Sequence, residues 1–277
     1  MDWLWQGIGE QATAACLVVQ GGLLDIFGDG GSIVPAFCRL MGGAWLTMKL
    51  TIVSLLIGFG LAVPIALARL SQNPFINWPF LAYTFYFRGT PLLVQLFLIY
   101  YGSGQFRPEL QEIGLWRGGF RDAYFCALFT LTLNTAAYTA EILRGGMLGV
   151  PSGEVEAARA YGMSGTMLYR RIIFPKAMRI ALPAYSNEVV FLFQSTSLVS
   201  LVTLLDLMGV ATDVIADTFR HFETLIFAGF VYLLLSGMIF AVFKRVERRL
   251  MRHLRRSGDE DVKKAPLPRG VPGSTRA

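Results

Sequence analysis

The chain has 277 residues, of which 54% are hydrophobic and 16% charged, with a net charge of +6 and a mean hydropathy of +0.50. That charged fraction falls well below the roughly 25% typical of soluble domains, which excludes an ordinary soluble globular protein and places the chain in the membrane class. The basic run at 244–256, KRVERRLMRHLRR, directly follows an apolar stretch. It therefore reads as the cytoplasmic flank of a membrane helix rather than as a nucleic-acid site.

The N-terminus, MDWLWQGIGEQ, carries Asp2 and Glu10 and no Lys or Arg, so no cleaved secretory signal is expected. Residues 13–27 are too short and too interrupted by glycine to span a membrane, and residues 1–43 are expected to form a periplasmic or interfacial segment. Five apolar stretches follow, at 44–68, 79–101, 122–143, 181–204 and 223–243. Each approaches the length of about 20 residues that a spanning helix needs. The second is interrupted midway by Arg88-Gly89-Thr90-Pro91. In the first, Gly58, Ala62 and Ala66 recur every four residues, a spacing that lets helices approach closely in lipid, and Pro64 is expected to kink it.

The loops set the orientation. The stretch 144–180 carries Arg144, Arg159, Arg170, Arg171, Lys176 and Arg179 against Glu154 and Glu156, and belongs in the cytoplasm. The stretch 102–121 balances Arg107, Arg117 and Arg121 against Glu109 and Glu112, which suits the outer side. Five spans then put the N-terminus outside and the C-terminus inside. The expected organisation is a helical membrane domain at 44–250 and a disordered cytoplasmic tail at 251–277, whose polar, Pro- and Gly-rich composition cannot bury a core.

Cys16, Cys38 and Cys126 show no zinc or redox spacing and read as small apolar residues. His221 and His253 have no metal-ligand company, so no metal site is expected. No nucleotide-binding G-x-x-x-x-G-K-[ST] loop exists, because none of the five lysines follows a glycine. No nucleophile–base pair suggests catalysis. Any ATP and magnesium must be held by another polypeptide, and no cofactor is expected in this chain.

Residues 151–175, PSGEVEAARAYGMSGTMLYRRIIFP, read as a helix–turn–helix between the third and fourth spans. Ser152 is the expected N-cap and Gly162 the expected C-terminal cap of the first helix. Ser164 starts the second, which Pro175 is expected to end. Ala157 and Ala158 let another protein's groove close on the backbone, while Glu156 and Arg159 offer charged edges.

Glu156-Ala157-Ala158, Gly162 and Ile172-x-Phe174-Pro175 resemble the EAA motif of ATP-binding-cassette importer permeases, with Phe174 where the family usually has Leu. The segments 87–95, FRGTPLLVQ, 134–141, NTAAYTAE, and 181–188, ALPAYSNE, resemble the histidine, arginine, ornithine and octopine group of that family. The likeness runs over 44–250. It implies an all-α membrane protein whose coupling helix docks an ATPase dimer. It further implies a second permease, identical or similar, a periplasmic or lipid-anchored binding protein, an inner-membrane location, and import of an amino acid, basic in character. The alternative is an ion-driven secondary transporter.

Polar groups inside spans mark pathways or partners. Glu188 and Ser195 lie two helical turns apart and share a face, with Asn187 and Thr196 beside them. Glu188 is either a counter-charge for a cationic substrate or a structural partner of Arg88 or Arg179. The resemblance places an acidic residue at Glu188, and often a second acid where this chain has Ser195. Asn134 and Tyr138 share a face of the third span and read first as helix–helix hydrogen-bonding groups, with Tyr138 kept as a substrate-site candidate beside Arg88 at the interrupted helix.

Overall fold

The structure, a computed structural model, describes residues 36–250. The expected interfacial segment up to residue 35, Cys16 and the expected tail 251–277 lie outside the described residues. Among the described residues there are helices and turns and no strand.

The first helix, α1 (Phe37–Arg69), begins before the predicted residue 44. Its early apolar residues have partners: Leu40 and Ala44 pack with Val210, Ala211, Ala228 and Val231, and Phe37 meets Phe227 edge-on at 5.8 Å. The helix runs on through Pro64. At 33 residues it rises about 50 Å, more than the hydrocarbon core needs.

The interrupted span is two helices, α2 (Pro74–Gly89) and α3 (Leu92–Tyr100). Asn73 caps α2 by accepting a bond from the Phe75 amide at 3.0 Å. Pro91 has no amide hydrogen and drives Thr90 into an extended conformation, φ −114° and ψ 146°, which ends α2. The stretch 102–121, expected on the outer side, is largely helical and not a plain loop. It holds a 3₁₀ turn at Gly102–Phe106, the short helix α4 (Arg107–Glu112) and a π turn at Trp116–Phe120.

The central helix is α5 (Ala123–Leu148), capped by Asp122. It packs along α1, where Ala62, Ala66, Ala136 and Ala140 are fully buried. Gly58 is required there: a Cβ at that position would strike the Thr135 methyl and come within 3.3 Å of the Thr132 carbonyl. The small residues spaced along α1 thus do what their spacing predicts.

Next come α6 (Ser152–Ala160), α7 (Gly165–Leu168), a π turn at Tyr169–Ile173 and α8 (Phe174–Ser195). Pro151, not Ser152, holds the capping position of α6, and no side chain caps it. Pro175 does not end the second helix. It sits in the first turn of α8, after the π turn, where an amide hydrogen is not needed. Beyond α8 a 3₁₀ stretch, Thr196–Val202, leads into α9 (Leu207–Thr218) and α10 (His221–Leu250). Asp206 caps α9 through the Gly209 amide at 2.9 Å, and the Leu207 amide donates to Thr47 at 3.1 Å, which fixes this corner on α1.

By length and composition, α1 and α10 can each cross a membrane alone, and Gly165–Val202 with Leu207–Thr218 forms a third apolar unit bent by 48°. Helix α5 has 26 residues, but Asn134 and a series of threonines make it more polar. α2 and α3 together match the broken second stretch. Cys126 is buried and Cys38 half-buried, and both are free thiols.

Candidate functional site

Breaking a helix inside a bundle exposes backbone carbonyls that must be satisfied. At the α2–α3 break two side chains do this. Gln95 donates to the Phe87 carbonyl at 2.8 Å and to the Thr90 carbonyl at 3.0 Å, and contacts the Thr90 hydroxyl at 2.7 Å. Asn134 donates to Gln95 at 2.9 Å and to the Phe87 carbonyl at 3.3 Å. Asn134 is therefore a helix–helix bonding group, as its position suggested. Gln95 had one sequence signal, an amide within the run LLVQLFLIY.

The break delivers Arg88 to α5. Its guanidinium lies over the Tyr138 ring at 5.4 Å, and the Tyr138 hydroxyl donates to the Arg88 carbonyl at 3.4 Å. Helices α5 and α8 run antiparallel: Gly146 lies against the Ala177 carbonyl, while Thr135, three turns away, meets Glu188. Side chains lean toward the N-terminus of their own helix. Tyr138 and Phe191 therefore lean toward each other, and their rings sit 6.3 Å apart beside the Thr135–Glu188 contact.

Glu188 is 7% exposed and accepts a hydrogen bond from Thr135 at 3.3 Å. Among the described residues no Lys, Arg or His forms an ion pair with it. Arg88 lies within electrostatic range but pairs elsewhere, and Arg179 does not reach it. The structural-partner alternative for Glu188 thus finds no ion pair. The other candidates divide. Asn187 is exposed, Ser195 is half-buried, and Thr196 is fully buried with its hydroxyl donating to the Phe193 carbonyl at 2.7 Å.

Arg88 belongs to a charge cluster. Glu141 receives Arg69 at 3.0 Å on one oxygen and Arg144 at 2.8 Å on the other, with Arg88 at 4.0 Å. Arg69 also bonds Asn77. The cluster ties the end of α1, the start of α2 and the later turns of α5 together. Sequence reading left Arg69 unremarked, because its partner lies 72 residues away.

The second candidate region is α6. Glu156, Ala157 and Arg159 are exposed, and Ala158 is buried against Leu168, Ile173 and Ala177. Gly162, at φ +79°, closes the helix: its amide bonds the Arg159 carbonyl at 2.8 Å and the Met163 amide bonds the Ala158 carbonyl at 3.1 Å, the paired bonds of a Schellman turn. Glu154 forms an ion pair with Lys176 on α8. The knob is thus bound to the helix that carries Glu188, with Ala157 and Ala160 exposed.

A buried carboxyl group without an ion-pair partner, beside a broken helix, suits the passage of a ligand better than bond-making chemistry. Among the described residues no cluster of His, Cys, Asp and Glu could hold a metal. This is the construction of a membrane transport subunit. The family described as binding-protein-dependent transport system inner membrane component matches residues 54–252. The nopaline transport system permease protein NocM of Agrobacterium fabrum is 47% identical over 223 residues, covering 80% of this chain and 92% of that protein. The histidine/lysine/arginine/ornithine transport system permease protein HisM of Escherichia coli K12 is 43% identical over 216 residues, covering 78% and 90%. A solved structure of an amino acid ABC transporter with histidines superposes with a TM-score of 0.68 at 34% identity, covering 76% of this chain and 94% of that one. The chain belongs to the binding-protein-dependent inner membrane component family and, within it, to the polar amino acid group of ATP-binding-cassette permeases.

Proposed function

We propose that this permease imports an amino acid with a basic side chain, and that Glu188 is the counter-charge its cation meets on the way. The observation that carries the reading is the buried Glu188 carboxylate, which one hydroxyl contacts and no described cation pairs. An ionised carboxylate removed from water is strongly disfavoured until a cation reaches it. A passing guanidinium or ammonium group supplies that cation. The relatives named for histidine, lysine, arginine and ornithine transport support the class. Asn187, exposed, and Ser195, half-buried and eight residues further along α8, contribute polar groups along the same path, with Arg88 and Tyr138 opposite. Thr196 shapes the end of α8 from within.

The energy enters through α6. An ATPase dimer docks on Glu156, Ala157 and Arg159, with Ala158 and Gly162 holding the knob's shape. Force passes along the Glu154–Lys176 pair into α8. A second permease, the same or similar, completes the pathway, and a binding protein delivers substrate on the outer side. Five spans place the N-terminus outside and the C-terminus in the cytoplasm.

Reconstitution tests the reading. Proteoliposomes holding the permease pair, its ATPase and its binding protein are expected to accumulate labelled arginine only with internal-face ATP. Uptake that persists without the ATPase, driven by an ion gradient, would overturn the energy source. ATP-driven uptake of neutral amino acids alone would overturn the basic-substrate class.

A further inference from the structure

We infer that the groove between α1, α8 and α10 holds an acyl chain of an anionic phospholipid, whose phosphate is taken by Arg245 and Arg249 at the end of α10. The site lies apart from the transport path and does not depend on the substrate.

Only 17% of the apolar stretch of α10 is buried within the chain, against 39% for α1. Between the two helices runs a groove of about 240 Å³. Met48, Ile52 and Leu55 form its α1 wall, Met238 and Val242 its α10 wall, and α8 contributes Val189. Thr51 also lines it, but its hydroxyl donates to the Thr47 carbonyl at 2.8 Å, so no polar group is offered. Water needs polar partners to stay in such a space, so within a span the groove takes hydrocarbon. Its far end is closed by aromatic rings from all three helices. Phe243 packs edge-on against Tyr185 at 5.9 Å, and Tyr185 against Phe59 at 5.6 Å.

Charge meets the groove at that end. Positions 235, 238, 242, 245 and 249 follow the spacing of three and four residues that keeps one helix face. The first three line the groove, and the last two are Arg245 and Arg249. Both are exposed, and neither forms an ion pair among the described residues. They lie two and six residues past Phe243, the last apolar residue of the span, or about 3 and 9 Å further along the axis. That is headgroup depth for a lipid whose chain lies in the groove. A guanidinium fork matches phosphate oxygens with two parallel bonds, and its long stem lets it reach them. Lys244 and Arg248 point to the opposite side of α10, and Glu247 is the one acid in 244–250. A zwitterionic lipid fits the same groove, but its own cation offsets the phosphate. An anionic lipid satisfies both the apolar groove and the arginine pair.

The test uses the assembled importer in detergent, with a fluorescent phosphatidylglycerol as probe and unlabelled dioleoyl phosphatidylglycerol or phosphatidylcholine as competitor. Phosphatidylglycerol is expected to displace the probe about tenfold to thirtyfold more readily, the worth of two basic contacts. Inorganic phosphate, which has no chain, is expected not to displace it. Arg245→Gln with Arg249→Gln should bring the ratio of the two lipids within about threefold of one. Lys244→Gln with Arg248→Gln removes the same charge from the other side of α10 and should keep the ratio within about threefold of wild type. Val242→Trp fills the groove from an exposed position and should weaken both lipids while keeping their ratio and the melting temperature. The site is overturned if the wild type shows no preference, if the two double variants lose it equally, or if Val242→Trp binds both lipids as before. Disulfide-linked permease pairs formed by Val242→Cys in native membranes would also overturn it, because a second copy would then cover the groove.

Discussion

The Thr135 hydroxyl donates to the Glu188 carboxylate at 3.3 Å, and the methyl of the same threonine fills the space that Gly58 leaves open on α1. One residue therefore joins three helices. Its oxygen serves the candidate site and its methyl sets the approach of α1 to α5.

That dual contact yields a rescue experiment. Gly58→Ala adds a Cβ that strikes the Thr135 methyl. Overpacking of this kind costs about 1–3 kcal/mol, and the displaced threonine weakens its bond to Glu188. Thr135→Ser removes the methyl and keeps the oxygen. The single Gly58→Ala variant is expected to lower both melting temperature and uptake, and the double variant to recover most of both. Thermal unfolding in detergent beside uptake in proteoliposomes makes the comparison.

The α2–α3 break depends on two amides. Gln95→Leu leaves the Phe87 and Thr90 carbonyls without their nearest donor and strips Asn134 of a partner. Each orphaned buried group costs about 1–3 kcal/mol. The expected result is a clear fall in thermal stability, larger than that for a leucine placed at exposed Gln194.

Glu141 bonds two arginines while only 11% exposed. Glu141→Gln leaves Arg69 and Arg144 without their counter-charge, and removing one partner of such a cluster costs about 3–5 kcal/mol. The variant is expected to be the least stable of the set by thermal unfolding. A substitution at Arg39, whose pairs with Asp213 and Asp217 are exposed, is expected to change stability little by the same measurement.

Glu156 is exposed and forms no ion pair among the described residues. Glu156→Lys is therefore expected to leave folding and membrane insertion unchanged while reducing recovery of the ATPase on co-purification. Gly162→Val acts differently. At φ +79° a β-branched residue is strained, by about 1 kcal/mol or more, so the knob itself is expected to loosen, with greater protease sensitivity in the 151–164 stretch.

The helical membrane class was legible because apolar runs and loop charge act locally. Gly58, Ala62 and Ala66 showed a packing face through spacing alone, and Pro91 marked the break because its chemistry acts on the residue before it. Gly162 was legible for a similar reason: a helix end needs a residue that tolerates positive φ. Ser152 misled because a good capping side chain is no guarantee of a cap when proline precedes it. Pro175 misled because a π turn ahead of it lets the helical path continue. The site was harder. Glu188 and Arg88 stood out as charges in apolar surroundings, but neither spacing nor composition says that Thr135 meets one and Glu141 the other. Those contacts join residues 53 and 53 positions apart, and only the packing of α2, α5 and α8 creates them.

The most direct measurement is ATP-driven uptake of labelled arginine by the reconstituted importer, wild type beside Glu188→Gln, with bound ATPase quantified on the same preparations. The glutamine keeps an acceptor for Thr135 and removes only the charge. Uptake is expected to fall by at least tenfold, the equivalent of about 1.4 kcal/mol, with ATPase recovery unchanged. Uptake equal to wild type, or a parallel loss of ATPase and uptake, would contradict a translocation path built around that carboxylate.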